Sequence, residues 1–220
     1  MTGDNCEPLR PLRKDAQLNR QRILAAAREL FAVRGLEATL NEVAHHANVG
    51  VGTVYRRFAT KEELLEAIFE DAIDQVVELA KAALQIQDSW DGFAWFVEHL
   101  CELTATDRGL REMVCSKAYG GYRIECARLR LDPHVSKVVE RARDDGYLRS
   151  DIEPTDMPIL NLLAGTVSEY AGHIEPDLWR RYVALLLDGM RHREGQKRLE
   201  VDALGQEHMD QAMHGWHPGG

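Results

Sequence analysis

The chain has 220 residues and a formal net charge of −9, and its 45% hydrophobic content is ordinary for a protein that buries a globular core. The N-terminus lacks a basic segment followed by an apolar one, and no apolar run approaches the roughly 20 residues of a membrane span. The four cysteines are scattered and form no CxxC pair, which argues against a disulfide framework or a zinc site. We therefore expect a cytoplasmic protein with no membrane partner, metal or cofactor.

Positive charge is concentrated near the N-terminus. Between Leu9 and Lys61, ten lysine and arginine residues stand against four acidic residues, a net charge of +6 that leaves −15 for the remainder. Such a division predicts a short basic module that contacts a polyanion, joined to an acidic body that does not.

The first predicted helix runs from Arg20 to Arg34, because its apolar residues recur at three- and four-residue spacing. We expect Gly35 to end it in the left-handed conformation. The sequence Thr39-Leu40-Asn41-Glu42 is a capping box, in which the Thr hydroxyl and the Glu carboxylate each satisfy a backbone N–H group of the other residue. It predicts a short second helix from Leu40 to about Ala47.

A third short helix is predicted to follow after a turn of about three residues. Asn48 tolerates a positive φ, and Gly50 can act as the N-cap of a helix from Val51 to Phe58. Two short helices separated by such a turn are typical of a helix-turn-helix.

The rest of the chain is predicted to be helical. A second capping-box pattern, Thr60-Lys61-Glu62-Glu63, precedes a broad apolar stripe that extends to about Leu84. Further helices are predicted over residues 90–105, 108–119, 122–145, 156–171 and 177–193. Without strand-like alternation, the fold is expected to be all-α, with about nine helices.

The third helix carries the candidate nucleic-acid interface. Val54 and Phe58 are four residues apart and face the core, so the opposite edge of the helix should face outward. Hydroxyl and guanidinium groups on such an edge can bind bases in a major groove and the phosphates beside it. With the flanking helix N-termini, the candidate residues are Thr39, Gly50, Val51, Gly52, Thr53, Tyr55, Arg56, Arg57 and Lys61.

The sequence from Ile23 to Leu64 resembles the DNA-binding domain of the TetR family of bacterial regulators. The likeness includes Leu30-Phe31, Gly35, Thr39, Val43-Ala44, the run Ala47 to Phe58 and Lys61-Glu62-Glu63-Leu64. It implies that Thr39, Gly52, Thr53, Tyr55, Arg57 and Lys61 contact an operator. Asn48, Gly50 and Arg57 depart from the family's usual Gly, Ser and His, so individual base contacts cannot be transferred.

The resemblance also implies a domain organisation. Residues 1–15 would be a flexible basic leader, 16–60 the helix-turn-helix domain, 61–194 a ligand-binding and dimerisation domain, and 195–220 a flexible tail. The basic residues Arg10, Arg13 and Lys14 could form an arm that reaches a neighbouring groove. A solvated leader explains them equally well.

The last two predicted helices of the body resemble the family's dimer interface. Apolar stripes on these helices are wide enough for both a core and a partner, although a purely intramolecular core is the alternative. The candidate interface residues are Leu160, Leu163, Val167, Tyr170, Tyr182, Leu185, Leu186 and Met190.

An aromatic-rich helix is the candidate wall of a small-molecule site. Its residues and those that follow give the predicted lining: Trp95, Phe96, His99, Leu100, Leu103, Met113, Tyr119 and Tyr122. The alternative is that these side chains only fill the core.

The favoured function is a homodimeric repressor that binds a palindromic operator through Val51–Phe58 and is released by an unidentified small-molecule effector. An all-helical enzyme is a second hypothesis, but the sequence has no GxxxxGK[ST], GxGxxG, HExxH or GxSxG pattern. A third is an interaction adaptor whose basic module binds an acidic protein.

Overall fold

The computed structural model describes residues 14–107, 109–111 and 122–215. All regular secondary structure in these ranges is helical apart from an isolated bridge between Leu148 and Arg191, so the all-α prediction is confirmed. The helices are α1 (Lys14–Arg34), α2 (Leu40–His46), α3 (Val51–Arg57), α4 (Lys61–Ala83), α5 (Ser89–Thr106), α6 (Tyr122–Asp144), α7 (Asp156–Ala171), α8 (Leu178–Met190) and α9 (Gln206–Gly215). None of the described helices is both long and apolar enough to cross a membrane.

The N-terminal turns follow the local sequence signals. Gly35 has φ 67° at the end of α1 and begins a short 3-10 turn, Gly35–Glu37. Asn48 adopts φ 52° between α2 and α3. Both positive φ values were predicted, because glycine and asparagine tolerate the left-handed region.

The longer helices form the second part of the chain. Helix α4 packs along α6, and α5 packs against α7, which in turn packs against α8. A core cluster of aromatic and aliphatic side chains, with Phe93, Phe96 and Trp179 fully buried, holds these helices together. Burial of such large side chains contributes about 1.5–3 kcal/mol each to folding.

The N-terminal core is not made by the N-terminal helices alone. Leu110, which follows α5, is buried in the same cluster as Phe31 of α1. Beside it, a Cβ on Gly109 would lie 2.5 Å from the Cβ of Phe31, so only glycine allows this approach. The segment after α5 therefore connects the C-terminal body directly to α1.

The structure differs from the expected flexible tail at residues 206–215, which form α9. Met209 on this helix is only 3% exposed. Residues 191–205 form the strap that links α8 to α9, and hydrogen bonds fix this strap to the body. Asp151 accepts a hydrogen bond from the Leu199 N–H (2.7 Å), and Arg149 donates one to the Lys197 carbonyl (3.0 Å). The weak apolar periodicity of this segment concealed the helix, because one buried side chain and a few hydrogen bonds hold it.

Candidate nucleic-acid interface and internal cavity

Helix α3 presents a polar edge to solvent, as predicted. Val54 is fully buried and Phe58 nearly so, and both belong to the N-terminal core. On the opposite side Val51 and Arg56 are exposed, and Tyr55 is 46% exposed. The helix is thus anchored from beneath by two apolar side chains while its outer residues remain accessible.

The arginines of α3 concentrate positive charge at this surface. The Arg56 Nε donates to the Gly52 carbonyl at 3.1 Å, which folds the guanidinium back along the helix toward Thr53. Partial burial and the neighbouring positive charge of Arg20 lower the pKa of Arg57 from its ordinary value. Like charges held close together are unfavourable in the isolated chain and are stabilised when a polyanion binds them.

Gly52 leaves the outer surface of α3 unobstructed. A Cβ built at this position meets no atom of the described structure within 4 Å. Packing within the chain therefore does not explain a glycine here, although glycine in a helix interior costs roughly 0.5–1 kcal/mol relative to alanine. An external molecule that approaches the backbone closely would account for it.

Two predicted contact residues have roles inside the chain. The Lys61 ammonium donates a hydrogen bond to the Leu36 carbonyl and lies 6.0 Å from the centroid of the Phe31 ring. The Thr39 hydroxyl donates to the Glu42 carboxylate at 2.9 Å and accepts from the Glu42 N–H at 3.3 Å. Either residue would have to share its polar group to bind a phosphate.

The capping box of α2 is complete. The Glu42 carboxylate accepts from the Thr39 N–H at 2.8 Å and pairs with Arg34 at 2.6 Å. The Thr39 backbone hydrogen bond and then the Arg34 side chain lower the pKa of Glu42 to about 2. Because the pKa of Glu42 is depressed, this cap stabilises the fold at pH values above the ordinary pKa of 4.5. The contribution is lost as the pH falls toward 2.

The second capping box is present only in part. The Thr60 hydroxyl accepts from the Glu63 N–H at 3.2 Å, as predicted. The Glu63 carboxylate, however, accepts from the Ala59 N–H at 2.8 Å instead of that of Thr60. The N-terminus of α4 is therefore capped with a return contact displaced by one residue.

A partly open cavity of about 250 Å³ lies among the longer helices. Its apolar wall comes from α4, α5, α6, α7 and α9 and includes Phe69, Ile73, Val135 and Met157. Leu110 also lines it, so the cavity touches the N-terminal core.

Only part of the predicted ligand lining faces this cavity. Leu100 and Leu103 line it. Phe96 is fully buried in the body core, and Trp95 stacks on His99 with ring centroids 4.0 Å apart. The His99 Nδ1 donates to the Trp95 backbone carbonyl at 2.7 Å, so this ring nitrogen is bonded within α5. Met113, Tyr119 and the Tyr122 side chain lie outside what the structure describes.

The predicted dimer residues divide into two groups. Tyr170 is 85% and Leu185 is 57% exposed, and Leu163 and Tyr182 are also exposed, with Val167 and Leu186 half-buried. Leu160 and Met190 differ from the prediction, because the chain's own core buries them. The stripes on α7 and α8 are wide enough to supply an inner face and an outer one.

The glycines of α7 and α8, Gly165 and Gly189, have different surroundings. A Cβ on Gly165 would lie 3.1 Å from Arg111 Cδ, so this glycine makes room for the chain's own arginine. A Cβ on Gly189 would meet no described atom within 4 Å. Only Gly189 leaves open space at the outer face.

Two family models match most of this architecture. The model described as bacterial regulatory proteins, tetR family, matches residues 23–68, which contain α2, α3 and parts of α1 and α4. The model described as transcriptional regulator SbtR-like, C-terminal domain, matches residues 88–192, from the start of α5 to just beyond α8. The chain belongs to the TetR family of bacterial regulators, a class of transcription factors and not of enzymes.

Solved structures agree with this assignment. The chain is similar to a TetR transcription regulatory protein from Mycobacterium vanbaalenii, at 28% identity and a TM-score of 0.62 over 83% of this chain and all of that one. It is also similar to the TetR transcriptional regulator SCO0520 from Streptomyces coelicolor, at 27% identity and a TM-score of 0.58 over 78% and 98% of the two chains.

A curated relative matches about a third of the chain. The HTH-type transcriptional regulator SAUSA300_2515 of Staphylococcus aureus is 36% identical over 80 residues, which are 36% of this chain. The match spans about two fifths of that relative's length (42%).

Proposed function

We propose that this protein is a cytoplasmic, homodimeric transcription regulator that binds a palindromic DNA operator through α3 and releases it when a small apolar effector occupies the cavity. The observation that carries the proposal is the outward-facing polar edge of α3, anchored by Val54 and Phe58, in a chain of the TetR family. A helix of this size fits a major groove, where side chains read base edges and phosphates fix the register.

In this proposal, a second copy of the chain supplies the rest of the affinity for the operator. One short helix buries too little surface to bind a site tightly, whereas two helices about one DNA turn apart read both halves of a palindrome. The outer faces of α7 and α8 expose large apolar side chains, with Tyr170 and Leu185 the most accessible of the predicted set. Large exposed apolar side chains are common at interfaces between subunits.

The effector would act through Gly109 and Leu110, which connect the helical body to the N-terminal core. Leu110 lines the cavity and also packs in the core that holds α1, while Gly109 touches Phe31. A ligand that moves this segment would shift α1 and, through it, the separation of the two α3 helices. The shift requires different ligand affinities for the DNA-bound and free conformations.

Selection of bound duplexes from a random pool tests the proposal. We expect a palindromic consensus with half-sites about one helical turn apart, and affinity that falls steeply with salt because phosphate contacts release counterions. A consensus without symmetry, or no enrichment at all, would rule out the proposed binding mode.

Substitutions on α3 then locate the contact. Tyr55→Ala is expected to weaken binding to the selected duplex by about tenfold or more, since loss of a good contact costs on the order of 1–3 kcal/mol. Arg130→Ala is the control, because Arg130 is exposed on α6 and pairs with Asp74 of α4. Equal affinities of the two variants would place the DNA-binding surface elsewhere on the chain.

A further inference from the structure

Helix α1 places an arginine beside α3. Arg20 precedes Ile23 and Leu24 by three and four residues, so it lies on the face of α1 that packs in the N-terminal core. Arg57 follows Val54 by three residues and lies at the flank of α3, next to a side chain that anchors this helix in the same core. The shared core therefore brings two arginines that are far apart in sequence to the junction of α1 and α3.

Neither arginine has an acidic partner. Both side chains are half-buried, and neither makes an ion pair or a hydrogen bond with any part of the chain that the structure describes. Arg28, further along α1, is arranged differently, because it pairs with Asp71 at 2.8 Å. Partial burial and then the positive charge of Arg20 lower the pKa of Arg57 from its ordinary value. The pair is therefore electrostatically unfavourable in the free chain, and an external anion stabilises it.

The position of the pair selects the anion. A helix that enters the major groove has a row of phosphates on each side, because the groove is about 12 Å wide and the two backbones border it. The exposed edge of α3 carries Val51, Tyr55 and Arg56, whereas Arg57 lies at its flank. When that edge faces the bases, the flank faces a phosphate row, and Arg20 beside it faces the same row. Guanidinium groups bind phosphate oxygens through two parallel hydrogen bonds.

We infer that Arg20 and Arg57 form a clamp of two guanidinium groups, one from α1 and one from α3, on the backbone phosphates beside α3. The inference rests on the proposed function, since it adds a contact with the same DNA. A phosphate contact reads no base, so the clamp contributes affinity and fixes the orientation of α3 on every sequence. It also makes α1 part of the DNA-binding surface, at a position before residue 23, where the match to the N-terminal family model begins.

The Arg20→Gln variant tests the clamp, because glutamine keeps part of the side chain and removes its charge. Titration of the selected duplex at several salt concentrations should show about tenfold weaker binding at low salt. The slope of log affinity against log salt concentration should become less steep by about one for each Arg20 that is lost. A duplex of unrelated sequence should show the same losses, since the contact reads no base.

Arg22→Gln is the matched control. Arg22 is an exposed arginine of the same helix and, like Arg20, has no partner in the described part of the chain. Because it follows Arg20 by two residues, it lies on a different side of α1. The control variant should bind both duplexes as the unsubstituted chain does. An Arg20→Gln variant with unchanged affinity and slope, or an equal loss in Arg22→Gln, would overturn the clamp.

Two further variants test the chemistry of the contact. Arg20→Lys should recover the salt slope but only part of the affinity, because an ammonium group keeps the charge without the planar fork. Arg57→Gln should flatten the slope by about the same amount as Arg20→Gln, as expected of two residues that bind one phosphate row. A lysine variant with the flat slope of the glutamine variant would show that the charge of residue 20 does not meet the DNA.

The stability of the free chain separates a DNA contact from a structural role. The urea midpoint of Arg20→Gln should equal or exceed that of the unsubstituted chain, because the substitution relieves repulsion with Arg57. A lower midpoint with an unchanged salt slope would assign Arg20 to folding and refute the clamp.

The clamp and the proposed function fail in different ways. If the unsubstituted chain selects a palindrome and Arg20→Gln binds it equally well, the clamp fails while the proposed function stands. If the chain selects no palindrome but binds the unrelated duplex, and Arg20→Gln weakens this binding, the clamp stands while the palindromic operator fails.

Discussion

The two candidate sites of this protein are built in opposite ways. The α3 surface comes from eight consecutive residues, and its accessible side chains follow from helical geometry once Val54 and Phe58 are assigned to the core. The cavity is lined by side chains from five different helices. A site made by one short helix is fixed by local spacing, whereas a site between helices depends on how they pack.

The largest expected effect on stability is at Phe31, where α1 contacts the segment after α5. Phe31→Ala should lower the free energy of unfolding by about 3–5 kcal/mol, because the ring is 2% exposed and contacts the segment after α5. Urea denaturation followed by circular dichroism measures the loss. Val33→Ala, at an exposed position of the same helix, should change stability by no more than about 0.5 kcal/mol.

If the N-terminal core and the helical body unfold together, as this contact indicates, the Phe31→Ala variant unfolds in a single transition at a lower urea concentration. Two separate transitions would show that the N-terminal core does not depend on Gly109 and Leu110, and the proposed route from cavity to α1 would then be lost.

The outer face of α7 and α8 gives an intermediate effect. Leu185→Asp should weaken self-association by about 2 kcal/mol or more, since a charge at the centre of an apolar interface is left without a partner. Sedimentation velocity at micromolar concentration should show a shift from dimer toward monomer. Leu129→Asp, at an exposed position of α6, provides the comparison and should remain dimeric. A dimer that persists in both variants would place the interface on another face.

The smallest effect is expected at α3 itself. Gly52→Ala should raise the free energy of unfolding by about 0.5–1 kcal/mol, because alanine favours the helix and open space surrounds the added methyl group. Affinity for the selected duplex should nevertheless fall by about 1 kcal/mol, as the methyl group keeps the backbone from the DNA. Titration of labelled duplex against this variant, with its unfolding curve as the stability control, tests the pair of opposite changes. Unchanged affinity would mean that DNA does not approach this glycine.

Local signals carried most of what the sequence predicted correctly. The capping box from Thr39 to Glu42, the positive φ of Gly35 and Asn48, and the orientation of α3 depend on residues within a few positions of each other. Each is decided by backbone conformation and hydrogen bonding along one stretch of chain, and each is present in the structure.

Contacts across the chain account for what was missed. The Lys61 ammonium binds a carbonyl 25 residues away, and the sequence around Lys61 gives no sign of it. Trp95 and His99 had the composition of a ligand site, yet the two rings stack on each other. Helix α9 has little apolar surface, so its docking beside the cavity could not be predicted from periodicity.

The position of α9 outside the regions that the family models match has a consequence for how the cavity can vary. Its residues contribute to the cavity wall but belong neither to the N-terminal core nor to α3. Substitutions on α9 therefore change the shape of the cavity while they leave the proposed DNA-facing residues untouched.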